Sequence, residues 1–135
     1  MDFNKLLDNV SEKINSVNCG GCGVFAFELA KRLPGAKVVV FDNRYDINYL
    51  VTNGIAFQHC MVQYKGLLID GKNTYSHREG FKYCDEYKEI GEIPIDQLKK
   101  LVKNPYIWNS SFNRGQIPTL MGIIRKFIEN FDDRN

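Results

Sequence analysis

The stretch Phe57-Gln58-His59-Cys60-Met61-Val62-Gln63-Tyr64-Lys65-Gly66-Leu67-Leu68-Ile69-Asp70 decides the fold. Two apolar, strand-like runs flank Lys65-Gly66, the composition of an antiparallel hairpin closed by a tight turn. If Lys65 and Gly66 are the two loop residues, His59 faces Lys72, and Asp70 is its diagonal neighbour on the same face. Diagonal partners have Cα atoms about 7–8 Å apart, within reach of long side chains. A three-residue loop would turn Asp70 to the opposite face. A pairing of His59 with Asp70 therefore predicts the register.

Outward from the hairpin, Ala36-Lys37-Val38-Val39-Val40-Phe41 reads as a largely buried strand. Before it stand two helical patterns. Phe3, Leu6, Leu7, Val10, Ile14 and Val17 form one apolar stripe; Cys22, Phe25, Ala26, Leu29, Ala30 and Leu33 form the second. Asn18-Cys19-Gly20-Gly21 interrupts them, and Pro34-Gly35 stops the second. Asp42 to Gly54 is polar, with Tyr45, Ile47, Tyr49 and Leu50 interspersed, and carries no decisive pattern. Thr74 to Gly80 reads as a loop and Phe81 to Ile90 as a strand with one solvent-facing side. Pro94 opens a short helix that turns Ile95, Leu98, Leu101 and Val102 inward. Beyond an aromatic linker around Tyr106, Trp108 and Phe112, a final helical stripe runs from Ile117 to Phe131, with Pro118 near its start. Helices, then an antiparallel sheet, then helices describe an α+β fold in a single domain over 1–135.

The chain has 135 residues, 44% of them hydrophobic and 25% charged, with a formal net charge of +2. That length supports one core without disulfide staples. The composition excludes a disordered or low-complexity chain, and the charge is too mild to announce a nucleic-acid partner. No stretch has the length and apolarity of a membrane span, and Met1-Asp2-Phe3-Asn4-Lys5 does not resemble a secretion leader. A cytoplasmic protein with reduced cysteines is the expectation.

Cys22 stands where glycines give way to a helix, among unpaired backbone amides and at the positive end of the helix dipole, a position that lowers a thiol pKa. Gly20, Gly21 and Gly23 are expected to leave the approach to it uncluttered. A cysteine nucleophile needs a base, and the base needs a group to orient it. His59, inside a strand, is easier to hold in one orientation than His77 in Tyr75-Ser76-His77-Arg78-Glu79. Asp70 is the orienting acid if the hairpin has the register above.

Cys19-Gly20-Gly21-Cys22 opening a helix, a strand with His59 and a next strand with Asp70 together resemble the papain-like cysteine hydrolase superfamily, especially its compact transglutaminase-like members. The resemblance covers roughly Val17 to Gly71. It implies a papain-like core over about 17–90, with 91–131 as a helical C-terminal extension. It also implies Cys22 as nucleophile, His59 as base, Asp70 as orienting acid and a thioacyl-enzyme formed on a peptide, isopeptide or other amide. The implied partner is a peptide or protein substrate, with no cofactor, metal, nucleic acid or membrane. Ser16 stands where papain-type enzymes carry an oxyanion glutamine. The expected oxyanion donors are therefore the Cys22 amide and the Asn18 side chain.

Blander readings stand beside these. Cys22 lies on an apolar stripe and would serve as a small buried hydrophobe. Asp70 before Gly71 would be an ordinary turn aspartate. The spacing Cys19-x-x-Cys22 would supply half of a structural zinc site with His59, Cys60, His77 or Cys84, although His59 and Cys60 point to opposite sides of a strand. It would equally let Cys19 block Cys22 by oxidation. A papain-like binding or inhibitor module without turnover is the remaining alternative. Asp42 to Gly54 is the first candidate for a specificity loop, and Trp108 and Phe112 are expected to cover the core.

Overall fold

The hairpin closes as its composition requires. Lys65 and Gly66 both have positive φ, 48° and 78°, the left-handed pair whose twist matches that of the flanking strands. Gly66 adopts this conformation without steric cost. Tyr64 then pairs with Leu67, Gln63 with Leu68 and Val62 with Ile69, the two-residue register. The computed structural model describes residues 1–15, 17–18, 21–78, 81–103 and 112–132.

In chain order the elements are α1 (Phe3–Lys13), α2 (Cys22–Ala30), β1 (Lys37–Asp42), α3 (Ile47–Asn53), β2 (His59–Tyr64), β3 (Leu67–Ile69), β4 (Thr74–Ser76), β5 (Lys88–Ile93), α4 (Ile95–Val102), a 3₁₀ turn (Arg114–Gln116) and α5 (Ile117–Asp132). The strands form one antiparallel sheet in the order β4-β3-β2-β1-β5. The fold is α+β, with helices before and after the sheet in the chain.

Alternation along the strands sorts the core into two layers. Val38, Val40, Cys60, Val62, Ile69 and Ile93 join the helices' apolar residues in the main cluster. Val39, Phe41, Met61 and Leu68 form a second cluster, packed by Tyr75, Phe81, Tyr83 and Tyr87. β1 is buried from Val38 to Asp42 because both of its faces are covered. α2 lies at the centre and buries all of its residues but Phe27, so it is not amphipathic in place. Its one acidic residue, Glu28, is buried with its carboxylate bound by Arg32 at 2.6 Å and Lys31 at 3.0 Å. α5 lies on α1 and α2 and contributes Leu120, Ile124 and Ile128 to the main cluster.

Four segments differ from the sequence reading. Thr74 to Ser76 is an edge strand, not loop, because β3 offers it a ladder of three residue pairs. Residues 81 to 87 are not a strand; their aromatic rings lie on the second cluster, and the strand begins only at Lys88. Asp42 to Gly54 contains α3, whose start is capped by the Asp46 carboxylate accepting from the Tyr49 amide at 2.8 Å. The helix ends at Gly54 in the left-handed conformation. The first helix stops at Lys13, although Ile14 and Val17 remain buried.

The sheet coils. The outer two strands of a flat five-stranded sheet lie about 19 Å apart. Yet His77, just past β4, hydrogen-bonds Glu89 on β5 at 3.0 Å. The segment between β4 and β5 lays the Tyr83 ring over His59 at the start of β2. Among the described residues no helix is long and apolar enough to cross a membrane.

Candidate active site

Cys22 is the first residue of α2, and Gly21 before it provides no side-chain cap. The Cys22 sulfur thus sits at an N-terminus whose first amides have no intrahelical acceptor. Glycine is required at position 21 by packing, not by clearance for a ligand. A Cβ there would lie 2.5 Å from the Val17 carbonyl oxygen and 2.8 Å from the Phe112 ring. Phe112 covers the core here as expected, and Cys22 is 2% exposed, so the uncluttered approach inferred from the glycines is not found. Cys19 and Gly20, like Tyr106 and Trp108, lie outside the described residues.

His59 opens β2 opposite Phe41, and a carboxylate clamp sets that starting point. Asp42, fully buried at the end of β1, accepts from the Gln58 amide at 3.1 Å and from Arg44 Nη2 at 2.9 Å. Arg44 in turn donates to the Ala56 carbonyl at 2.7 Å. The chain returning from α3 is thereby tied to β1 immediately before the histidine.

Asp70 is a turn aspartate and a histidine partner at once, because its two oxygens divide the work. Oδ1 accepts from the Lys72 and Asn73 amides, each at 2.8 Å, and holds the turn after β3. Oδ2 accepts from His59 Nε2 at 3.0 Å. The diagonal relation expected from the hairpin therefore closes into a hydrogen bond. Binding of Asp70 to Nε2 leaves Nδ1 as the ring nitrogen available to Cys22, with which His59 is also hydrogen-bonded.

The electrostatics follow from this contact set. The Cys22 thiol is held well below its ordinary range, chiefly by a hydrogen bond from the Cys60 thiol. Burial opposes this, and the hydrogen bond and charge of His59 reinforce it. Burial disfavours charge on His59, but hydrogen bonds to Asp70 and Cys22 and the charges of both outweigh it, raising the imidazole to about 9. Burial likewise opposes charge on Asp70 and is overcome by His59 and the Lys72 and Asn73 amides, which keep the carboxyl low. Burial, with Cys22 beside it, pushes the Cys60 thiol well up. At neutral pH these shifts favour a His59 imidazolium, an Asp70 carboxylate and a neutral Cys60 thiol, and they move Cys22 toward the thiolate.

Two contacts escaped the sequence reading, which weighed Cys60 only as a zinc ligand. Alternation places Cys60 on the far side of the strand from His59, and the core layers agree. α2, however, begins against the start of β2, so Cys22 touches both consecutive residues. Tyr83 stacks on the imidazole at a centroid distance of 4.1 Å and an interplanar angle of 16°. Burial and the nearby Asp70 charge push its phenol up to about 12. The aromatic run Phe81, Tyr83 and Tyr87 was the available signal, but nothing local says which ring meets the histidine.

Asn18 reaches the neighbourhood as a tether: its Oδ1 accepts from the Gly71 amide at 3.1 Å. Gly71 cannot carry a side chain, since a Cβ there would run into Val17. His77 is paired with Glu89 and is not the residue that meets Cys22. Cys84 is exposed. Among the described residues no three His, Cys, Asp or Glu side chains are grouped to hold a metal ion. In the Asp42 to Gly54 segment, Tyr45 and Tyr49 stack at 4.6 Å and are 41% and 47% exposed, so this aromatic pair is presented to solvent. Compared with protein-family models, curated proteins and solved structures, the chain finds no match.

Proposed function

We propose that the protein is a papain-like cysteine hydrolase, acting on a peptide, isopeptide or other amide in a reducing, cytoplasmic setting. The observation that carries this reading is the buried chain of contacts from Cys22 through His59 to Asp70, with its 3.0 Å Nε2 to Oδ2 hydrogen bond. A buried ion pair of thiolate and imidazolium is costly to assemble and gives a core nothing that an apolar pair would not. It does supply a nucleophile and an acid side by side.

In this mechanism the Cys22 thiolate attacks the carbonyl carbon, and the carbonyl pair moves onto oxygen. The Cys22 backbone amide, at the positive end of α2, is placed to stabilise that charge. Asn18 Nδ2 is the second donor, its Oδ1 being held by Gly71. The imidazolium gives its Nδ1 proton to the leaving nitrogen as the C–N bond breaks, leaving a thioacyl-enzyme and neutral His59. His59 then takes a proton from water, the hydroxide adds to the thioester, and the thiolate departs. An amine in place of water makes the same site a transferase. Asp70 stays ionised throughout and holds the ring. Since each of the three side chains is at most 2% exposed, substrate access requires the cover around Tyr83 and Phe112 to move.

The test is the alkylation rate of each cysteine from pH 4 to 10, mapped by peptide, in wild type and His59→Ala. A screen of fluorogenic amides runs beside it. Fast labelling confined to Cys22, well below the ordinary thiol range and abolished by His59→Ala, is the expected result. The burial of Cys22 favours a second reading, a papain-like binding module without turnover. Labelling at the rate of an unfolded thiol, with no amide cleaved, selects that reading.

A further inference from the structure

The second thiol at the site lowers the Cys22 thiol pKa but takes no bond-making part in amide cleavage. Cys60 is 1% exposed and Cys22 2%, and both belong to the same core cluster. The Cys60 thiol and backbone amide are neighbours of the Cys22 sulfur, and both lower its thiol pKa. His59 stands beside the pair, able to supply and accept a proton. Cys84, by contrast, is exposed on the segment before β5.

We propose that Cys22 and Cys60 form a reversible disulfide under hydrogen peroxide, with Cys60 resolving the oxidised nucleophile. The Cys22 thiolate attacks the terminal oxygen of the peroxide, the O–O bond breaks, and the departing hydroxide takes a proton from His59 to leave as water. Cys22 is now a sulfenic acid. The Cys60 thiol gives its proton to His59, and its sulfur attacks Cys22 sulfur. Hydroxide leaves and is protonated to a second water. The two thiols have lost two electrons, the peroxide has gained them, and one S–S bond has formed. A dithiol reverses the step by exchange. The site is thereby switched off without passing to sulfinic acid, which thiols do not reduce.

The contact selects the partners. A thiolate with a neutral thiol already against it meets that thiol first when it becomes electrophilic, whereas any other cysteine needs the chain to rearrange. The protonation states assigned above support the order, Cys22 oxidised and Cys60 resolving.

The experiment uses the full chain with stoichiometric hydrogen peroxide, followed by blocking of free thiols, digestion and mass spectrometry. A Cys19→Ser chain mapped beside wild type resolves the assignment, since Cys19 and Cys22 fall in one tryptic peptide. The expected product joins the Cys22 and Cys60 peptides and disappears with dithiothreitol. Cys22 labelling falls about tenfold and returns on reduction. In Cys60→Ser, and in Cys60→Ala should serine disturb the core, Cys22 proceeds to sulfinic and sulfonic acids that dithiothreitol does not recover. In Cys22→Ser, Cys60 stays a thiol. Should neither Cys60 variant fold, the wild-type linkage map decides alone. A Cys22 link to Cys19 or Cys84, or direct passage of wild-type Cys22 to sulfinic acid, overturns the proposal. The proposal rests on the reactive Cys22 assigned under the hydrolase reading but not on turnover. A Cys22–Cys60 link in a protein that cleaves no amide keeps the pair and removes the hydrolase.

Discussion

His59 Nε2 and Asp70 Oδ2 lie 3.0 Å apart with both residues at most 2% exposed. β2 of a two-residue hairpin supplies the first, and the residue immediately after β3 supplies the second. The distance thus reports a register as well as a contact, and both ends of the bond are fixed by backbone. Asp70 is held by two amides and His59 by the Asp42 clamp on Gln58.

Replacing Asp70 tests that bond. Asp70→Asn keeps the shape but removes the charge that favours the imidazolium, so the His59 pKa falls from about 9 toward its ordinary value of 6.5. Amide cleavage falls by about a hundredfold or more, and Cys22 labelling at neutral pH slows with it. Imidazole chemical shifts followed through a titration give the first quantity directly. An unmoved His59 pKa would show that Asp70 holds only its turn.

The pH dependence has a definite sign. His59 is raised from 6.5 to about 9 on folding, so its contribution to stability is complete below 6.5 and is lost as pH rises through about 9. Asp70 is lowered, so its contribution is present above its ordinary 3.8 and is lost as pH falls through its folded value. The Cys22 thiol is lowered, so its contribution grows as pH rises toward its ordinary 9.0 and opposes the loss from His59. The unfolding free energy is expected to decline at the acid extreme, and amide cleavage loses its acid catalyst along an alkaline limb near 9. A wild-type alkaline limb near 6.5 would contradict the pairing.

Tyr83 covers the imidazole through its ring and not its hydroxyl. Tyr83→Phe is therefore expected to leave stability and Cys22 labelling within about twofold of wild type. Tyr83→Ala removes contacts with His59 and Phe41, at 4.1 and 6.2 Å between centroids, and costs about 1–3 kcal/mol at this half-buried position. With the cover gone, iodoacetamide reaches Cys22 several-fold faster. Equal labelling rates in all three proteins would mean that access runs by another path.

Asn18 has two separable roles. Asn18→Asp retains an oxygen to accept from the Gly71 amide but loses the Nδ2 donor. If Nδ2 serves the oxyanion, Asn18→Asp keeps its melting temperature while kcat falls by about 10²-fold. Asn18→Ala loses both. An Asn18→Asp enzyme with full kcat would leave Asn18 as a tether alone.

The features legible in the sequence share one property, that their cause is local. Lys65-Gly66 between two strand-forming runs favours a tight turn, and a two-residue loop there puts Asp70 on the face of His59. The apolar spacing of Ile95, Leu98, Leu101 and Val102 after Pro94 defines a helix without reference to anything distant. α3 was legible too, in Asp46 and Gly54 at its ends, but seven residues offer too little periodicity to stand out. β4, at three residues, exists only because β3 leaves an edge for it.

By itself the sequence determined the α+β order of elements and offered Cys22, His59 and Asp70 as a set, whereas the two-residue register that joins His59 to Asp70 came with the structure. Only the tertiary structure decided that α2 starts against β2, where one sulfur touches two consecutive residues of a strand, and that Tyr83 lies over the imidazole. The physical reason is range. Turn chemistry and side-chain alternation act across a few residues of backbone, whereas burial, the charge state of a thiol and the choice of its neighbours are set by elements far apart in the chain.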